Sequence, residues 1–374
     1  MGRSERQPRV DALAEPFRVA TQTIRRDIDT RRNASVQRRG HGGARRLSPS
    51  APPPMPHRPC TALPLTRLAL TAAIVAACVF GAFAPTAVNA APLIVAHRGG
   101  TGDTPENTVQ AFTNALHNGA QALWMTVQVT RDGVPVMYRP ADLSALTNGR
   151  GKLADIDYAD VKTLNAGYAF SRKDASGQTV YPYRDHPLPI PTLREALAAV
   201  PANVPVLLDM KQTPAAPLVE AVIKVLDETN AWSRVRLYST EAEATDRMRA
   251  RRPQAQLFES RDATRNRLVA AALAGQCTAP PASGTWAGIE LHRQVEVVER
   301  FTLGEGVSKV VANWWTPAAV QCFKSHPDVH LVAFGVETPQ DFEAASQLGF
   351  DAVMTDSPAR LRAALDKPGK DAAK

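Results

Sequence analysis

His97 and Arg98 end an apolar run, Leu93–Ala96, and are followed at once by Gly99 and Gly100. A buried strand that finishes this way delivers two polar side chains to the rim of a sheet, and the glycines let a ligand approach the backbone. Histidine can move a proton near neutral pH, and a guanidinium can grip a phosphate through two parallel N–H bonds. Pro105-Glu106-Asn107-Thr108 follows within one loop length, and Glu106 is placed to orient Arg98. Together these residue types point to phosphoryl chemistry at a strand end.

Such a site needs a scaffold, and residues 91–374 supply an alternating one. Apolar runs at 93–96, 123–129, 135–138, 204–210, 235–239, 255–258, 286–290, 307–312, 329–334 and 352–355 read as strands. Helical periodicity falls between most of them, as at 109–118, 214–229, 338–348 and 358–365. Ten runs exceed eight strands, so one or two belong to hairpin arms. β-α alternation over this length predicts an α/β (β/α)8 barrel, with active groups at the C-terminal strand ends. The stretch from about 140 to 190 breaks the alternation with Asn148-Gly149-Arg150-Gly151 and Tyr181-Pro182-Tyr183. A loop this long predicts a lid or subdomain over the barrel mouth.

The N-terminal part differs in kind. Residues 1–54 hold twelve arginines, no lysine and five acids, with no sustained apolar period. Met55 opens a second pattern: Arg58 and Arg67, an apolar run over 68–84, then Val88-Asn89-Ala90. This reads as a signal peptide spanning 55–90, which makes 1–54 a mis-called extension or a disordered basic tail. Export to a periplasmic or extracellular space is the expectation. A retained anchor, or a lipid anchor at Cys78, is the alternative. Residues 91–374 carry 30 basic and 31 acidic side chains, so the high overall pI says nothing about nucleic acid, no basic tract supports such binding, and no nucleic-acid partner is expected. Cys277 and Cys322 remain beyond the leader, either paired or as two separate buried thiols.

The His97-Arg98-Gly99 and Pro105-Glu106-Asn107-Thr108 motifs resemble the glycerophosphodiester phosphodiesterase family, and the resemblance extends over most of 93–365. It implies a (β/α)8 barrel that hydrolyses a phosphodiester with two histidines and a divalent metal, Ca²⁺ or Mg²⁺. His97 matches the first histidine and Arg98 the phosphate-binding arginine. Between the matching blocks Gly119-Ala120 and Thr130-Arg131-Asp132-Gly133, the family's Glu-x-Asp metal pair is replaced by Trp124 and Thr126. Arg139-Pro140 stands where the second histidine and its aspartate are expected, and arginine does not lose its proton in a protein. Leu208-Asp209-Met210-Lys211 matches the third acid and its lysine, which makes Asp209 the remaining candidate metal ligand, or else half of a rim ion pair. Gly349 to Pro358 matches the closing block, with Asp356 or Ser357 as a helix cap. Phe334 fits the family's late-strand aromatic, and Trp286, Trp314 and Trp315 are candidates for the mouth or the core.

Two functions follow from these residues. One is an exported phosphodiesterase with His97 as acid or base and Arg98, Arg139 and Lys211 holding the phosphate. The other is a pseudoenzyme that uses the same three cations to bind a phosphorylated small molecule or phospholipid head group, with Trp124 placed to stack on a sugar or choline-like cation. An envelope interaction protein that does not use the pocket is a third reading.

Overall fold

The computed structural model describes residues 90–277 and 279–367, so the expected leader, its apolar run and Cys78 lie outside the described residues. The strands in chain order are β1 (Leu93–His97), β2 (Ala122–Val129), β3 (Pro135–Met137), β4 (Arg172–Lys173), β5 (Thr179–Val180), β6 (Val206–Met210), β7 (Val235–Tyr238), β8 (Trp286–Glu290), β9 (Arg293–Phe301), β10 (Gly304–Ala312), β11 (His330–Phe334) and β12 (Ala352–Thr355). Seven of them form a parallel sheet in the order β7-β6-β2-β1-β12-β11-β8. The gap between β7 and β8 is bridged by Leu237↔Leu257 and Phe258↔Trp286, both parallel. Residues 257–258 are thus the fifth barrel strand, reduced to two bridges, and the expected run at 255–258 is that short. The result is the (β/α)8 barrel expected from the alternation.

Strand alternation separates two apolar layers. Val95, Ala122, Trp124, Leu207, Tyr238, Phe258, Val332, Phe334 and Met354 fill the barrel interior. Their neighbours Ala96, Leu123, Met125, Val127, Leu208 and Met210 face outward and pack against helices such as Ala216–Thr229. All eight residues of β2 are buried, as a strand covered on both faces requires. Helices begin where side-chain acceptors satisfy their first N–H groups. Thr108 caps Val109–His117, and Thr192 with Glu195 forms a capping box at Leu193–Ala199.

The 140–190 stretch is a small packed unit. It holds the 3-10 turns Leu143–Ala145 and Leu153–Asp155, the short helix Tyr158–Val161 and the β4-β5 pair. Leu143, Leu153, Val161, Ala166 and Ile190 pack with Val136 and Tyr138 as a core of their own. It is therefore a subdomain.

The two surplus runs are hairpin arms, as the count of ten required. The run at 135–138 gives β3, antiparallel to β2. The run at 307–312 lies in β10, the second arm of a hairpin with β9, in nine-residue antiparallel register. The hairpin leaves the barrel three residues after β8, at its C-terminal end. Its Val297, Phe301, Leu303, Val307 and Val311 side chains are exposed. A disulfide joins Cys277 to Cys322, settling the pairing that the sequence left open. Among the described residues no helix is long and apolar enough to cross a membrane.

Candidate functional site

The turn after β1 is built from closely spaced constraints. Gly100 N–H donates to His97 O at 2.9 Å, Gly102 N–H to Asp356 O at 2.8 Å, and Asn107 N–H to Arg98 O at 2.8 Å. Gly99 has φ +84°, and a Cβ there would lie 2.7 Å from Ala111 Cβ, so no side chain fits. Arg98 itself is held at φ 52° and Asn107 at φ 58°, a region that non-glycine residues seldom occupy. This conformation aims the Arg98 guanidinium at Glu106, Nη1 to Oε2 2.6 Å. Glu106 thus orients Arg98 as the sequence suggested.

The His97 imidazole finds a partner that sequence reasoning had assigned elsewhere. Its Nδ1 lies 2.6 Å from Asp356 Oδ1. Ser357 caps the Pro358–Leu365 helix, accepting from Arg360 N–H, so of the two candidate caps Asp356 is free for the histidine. Asp356 is oriented in turn by Glu337, whose Oε1 accepts from Asp356 N–H at 2.7 Å and whose Oε2 accepts from Thr355 Oγ1 at 3.0 Å. The hydrogen bond from His97 holds the Asp356 carboxyl below the usual carboxylate range. An ionised Asp356 keeps the hydrogen on Nδ1 and leaves Nε2 as the acceptor. Burial raises the pKa of Glu337, and the neighbouring Asp356 charge adds to the rise.

Two strands along the barrel from β1, Asp209 near the end of β6 is almost fully buried, with its Oδ1 3.7 Å from Lys211 Nζ. Lys211 donates to Thr240 Oγ1 at 3.0 Å. Burial raises the Asp209 pKa, opposed chiefly by Lys211, and burial lowers the Lys211 pKa, opposed by Asp209. A third pair, missed in the sequence, comes from Arg261 and Glu290, Nη2 to Oε1 2.6 Å. Arg261 also bonds the Tyr238 hydroxyl, while burial pushes the Tyr238 pKa up to about 12.

These groups line one cavity of about 370 Å³ at the C-terminal mouth of the barrel. It brings together His97, Arg98, Trp124, Arg139, Asp209 and Lys211, six of the seven residues singled out from the sequence. The seventh, Thr126, is fully buried beside Asp209 in register and its Oγ1 has no hydrogen-bond partner. The Trp124 ring is only 3% exposed and packs against Tyr238 at 4.9 Å and Phe334 at 5.2 Å. It is barrel filling that shows an edge to the cavity, so the expectation that it stacks on a ligand is corrected. Phe334 lines the cavity as the resemblance implied. Trp286 is elsewhere, stacked on His330 at the N-terminal ends of β8 and β11, and Trp315 packs against Phe323 and Phe350. Trp314 is buried.

The donor set does not fit a hard divalent ion. Ca²⁺ and Mg²⁺ take six or more oxygens, several of them anionic. The positions that the resemblance assigned to a carboxylate pair, Trp124 and Thr126, carry an indole and a neutral hydroxyl. The carboxylate that remains there, Asp209, already faces an ammonium. Asp103 is committed to Ser357 and Ala359 N–H, and Asp142 to Ser144. Among the described residues no group of three or more His, Cys, Asp or Glu is arranged to hold a metal.

The model of the glycerophosphoryl diester phosphodiesterase family matches residues 97–360. A DeoR-like helix-turn-helix model matches residues 3–50, outside the described residues. Protein Rv2277c of Mycobacterium tuberculosis is 48% identical over 267 residues, covering 71% of this chain and 87% of that protein. The crystal structure of its glycerophosphoryl diester phosphodiesterase domain superposes with a TM-score of 0.66 at 45% identity, covering 73% of this chain and 99% of that one. An Oleispira antarctica phosphodiesterase, solved with the product sn-glycerol-3-phosphate, has a TM-score of 0.54 at 20% identity over 74% of this chain and 98% of that one, a likeness of fold. Members of this family generally use a divalent metal. From His97 on β1 to the helix after β12, the chain belongs to the glycerophosphoryl diester phosphodiesterase family.

Proposed function

We propose that this protein hydrolyses a glycerophosphodiester to glycerol phosphate and an alcohol, holding the phosphate with organic cations in place of a metal-bound carboxylate pair. The observation that carries this reading is that the His97–Asp356 pair lines one cavity together with Arg98, Arg139 and Lys211. In it, Arg98, anchored by Glu106, binds two phosphoryl oxygens, and Arg139 and Lys211 meet the charge that develops on them. His97 Nε2 takes a proton from the attacking water as its oxygen forms the new O–P bond. The imidazolium, stabilised by Asp356, then returns that proton to the alkoxide whose bond to phosphorus breaks. Arg139 has no protonation role, because its guanidinium stays charged.

The changes at Trp124, Thr126 and Arg139 favour a second reading, in which the same cavity binds a phosphodiester without turning it over. Hydrolysis of a glycerophosphodiester panel by the protein, with Ca²⁺, with Mg²⁺ and with chelator, separates the two. We expect turnover that survives chelation and is lost in His97→Ala. Turnover that requires the metal would overturn the cationic reading, and no turnover with ligand-induced thermal stabilisation would establish the binding one.

We also read the chain as exported through the 55–90 leader, which the Cys277–Cys322 disulfide supports because such bonds persist in oxidising compartments. Residues 1–54 are read as an extension ahead of that leader. The helix-turn-helix match at 3–50 favours a different use, a DNA-binding segment, which cannot coexist with an exported chain processed at residue 90. Mass spectrometry of the N-terminal peptide from the native host decides this. A start at or near Ala91 supports export, and an intact 3–50 segment overturns it.

A further inference from the structure

The β9-β10 hairpin is a ribbon with two unlike faces, because residues directly opposite in an antiparallel pair share a face. One face carries the pairs Val295–Val310 and Val297–Ser308, with Phe301 covering Gly306, where a Cβ would lie 2.8 Å from its ring. Val297, Phe301 and Val310 are exposed there, and beyond Arg293 the one charge on this face is Glu299. The other face carries the ion pairs Glu296–Lys309 and Arg300–Glu305, which suit it to water. At the base of the apolar face, Arg293 interacts electrostatically with Glu290 and Arg261, two groups that line the cavity. The apolar face therefore starts at the rim of the mouth.

A contiguous apolar patch of this kind marks a contact site, and its dimensions and charges choose among occupants. Nine residues at about 3.4 Å each, on two strands about 5 Å wide, give roughly 300 Å². A stable dimer needs roughly 800 Å² from each partner, so a second copy seated on this face alone does not suffice. Immersion in a bilayer is opposed by the backbone. Among the described residues the hairpin is a two-stranded sheet, and the outward N–H and C=O groups of both edges would have no partner in hydrocarbon. Nor do its charges favour an anionic surface, since Arg293, Arg300 and Lys309 balance Glu296, Glu299 and Glu305. A long, narrow, nearly uncharged strip that begins at a phosphate-binding mouth fits an alkyl chain attached to the phosphodiester.

Resting on the reading that the mouth binds a phosphodiester, we infer that the ligand is an amphiphile whose acyl chain lies along the apolar face of the hairpin. The test uses glycerophosphoethanolamine and its monoacyl esters with six-carbon and ten-carbon chains, all kept below the concentration at which micelles form. Both kcat/KM and the thermal stabilisation each compound gives the protein are measured. Half-burying a methylene gives about a twofold gain, so four more should favour the ten-carbon ester by about tenfold. Val297→Ser combined with Phe301→Ser should bring that ratio toward one and leave turnover of the chainless diester unchanged. Val298→Ser combined with Val307→Ser, on the ion-paired face, should keep the ratio. Equal preference for the two esters in the wild-type protein, or a preference that changes on the apolar face do not move, overturns the inference and leaves the proposed function standing. A dimer in light scattering that the Val297→Ser and Phe301→Ser pair dissociates would overturn it as well. If no compound turns over, hydrolysis is refuted and the ratio of thermal shifts decides the chain inference separately. If none turns over or binds, both fall.

Discussion

The wall made by β1 and β12 and the wall made by β2 and β6 are built from adjacent strands of one barrel, yet they follow opposite rules. On the first, the charged groups are paired at hydrogen-bond distance, although Glu106 Oε1 and Asn107 Nδ2 have no partner. His97 meets Asp356, Asp356 meets Glu337, and Arg98 meets Glu106 through a turn that tolerates no Cβ at Gly99. On the second, Trp124 and Thr126 bring an indole and a buried hydroxyl to the wall, and Asp209 Oδ1 and Thr126 Oγ1 have no hydrogen-bond partner. On the proposed function, the groups that would grip a phosphate and move a proton all lie outside the β2 wall. Trp124 makes the second wall a packing element, joined to Tyr238, Phe258 and Phe334.

Substitutions can break this contrast from either side. His97→Ala should lower kcat by about a thousandfold, the scale of a general acid–base group, while the melting temperature changes little. Trp124→Ala should act on the other axis. It removes a buried aromatic and should cost about 3–5 kcal/mol in urea denaturation. A Trp124→Ala protein that keeps its stability would mean that the second wall is not packing.

A smaller effect is expected from Asp356→Asn, which keeps the shape and removes the charge that fixes the His97 tautomer. A fall of about a hundredfold in kcat with KM nearly unchanged would separate positioning of the base from substrate binding. The stability of this variant also has a signed pH dependence. The folded-state pKa of Asp356 is depressed, so its contribution is present above the usual carboxylate pKa and is lost as pH falls through the folded value. The wild-type advantage over Asp356→Asn should therefore disappear on acidification below about pH 4 and be full at neutrality. A gap that widens in acid would refute the pairing.

Local signals carried part of this site and not the rest. His97 and Arg98 are legible because an apolar run ending at paired glycines has few other uses. Asp356 was hidden by its neighbours. Thr355-Asp356-Ser357-Pro358 reads as a helix start, and the cap and the histidine partner are distinguished by which of two adjacent side chains turns inward. Glu290 and Tyr238 also end barrel strands, and the rule that active groups sit at C-terminal strand ends would have nominated them. Arg261 comes from the first turn of a helix, where no periodicity marks it. The hairpin arm at β10 looked like a barrel strand because β-branched runs give the same pattern in both. The partner β9, which forms a separate two-stranded sheet with β10, is what distinguishes them.

The disulfide between Cys277 and Cys322 has a consequence for how the chain responds to cutting. It closes a loop with a sequence separation of 45 that contains β8 and the whole exposed β9-β10 hairpin. A protease that nicks the hairpin tip would leave the two fragments covalently joined. Glu290, one of the groups lining the mouth, would stay tied to the body of the barrel. Such a protein would run as one band without reductant and as two with it.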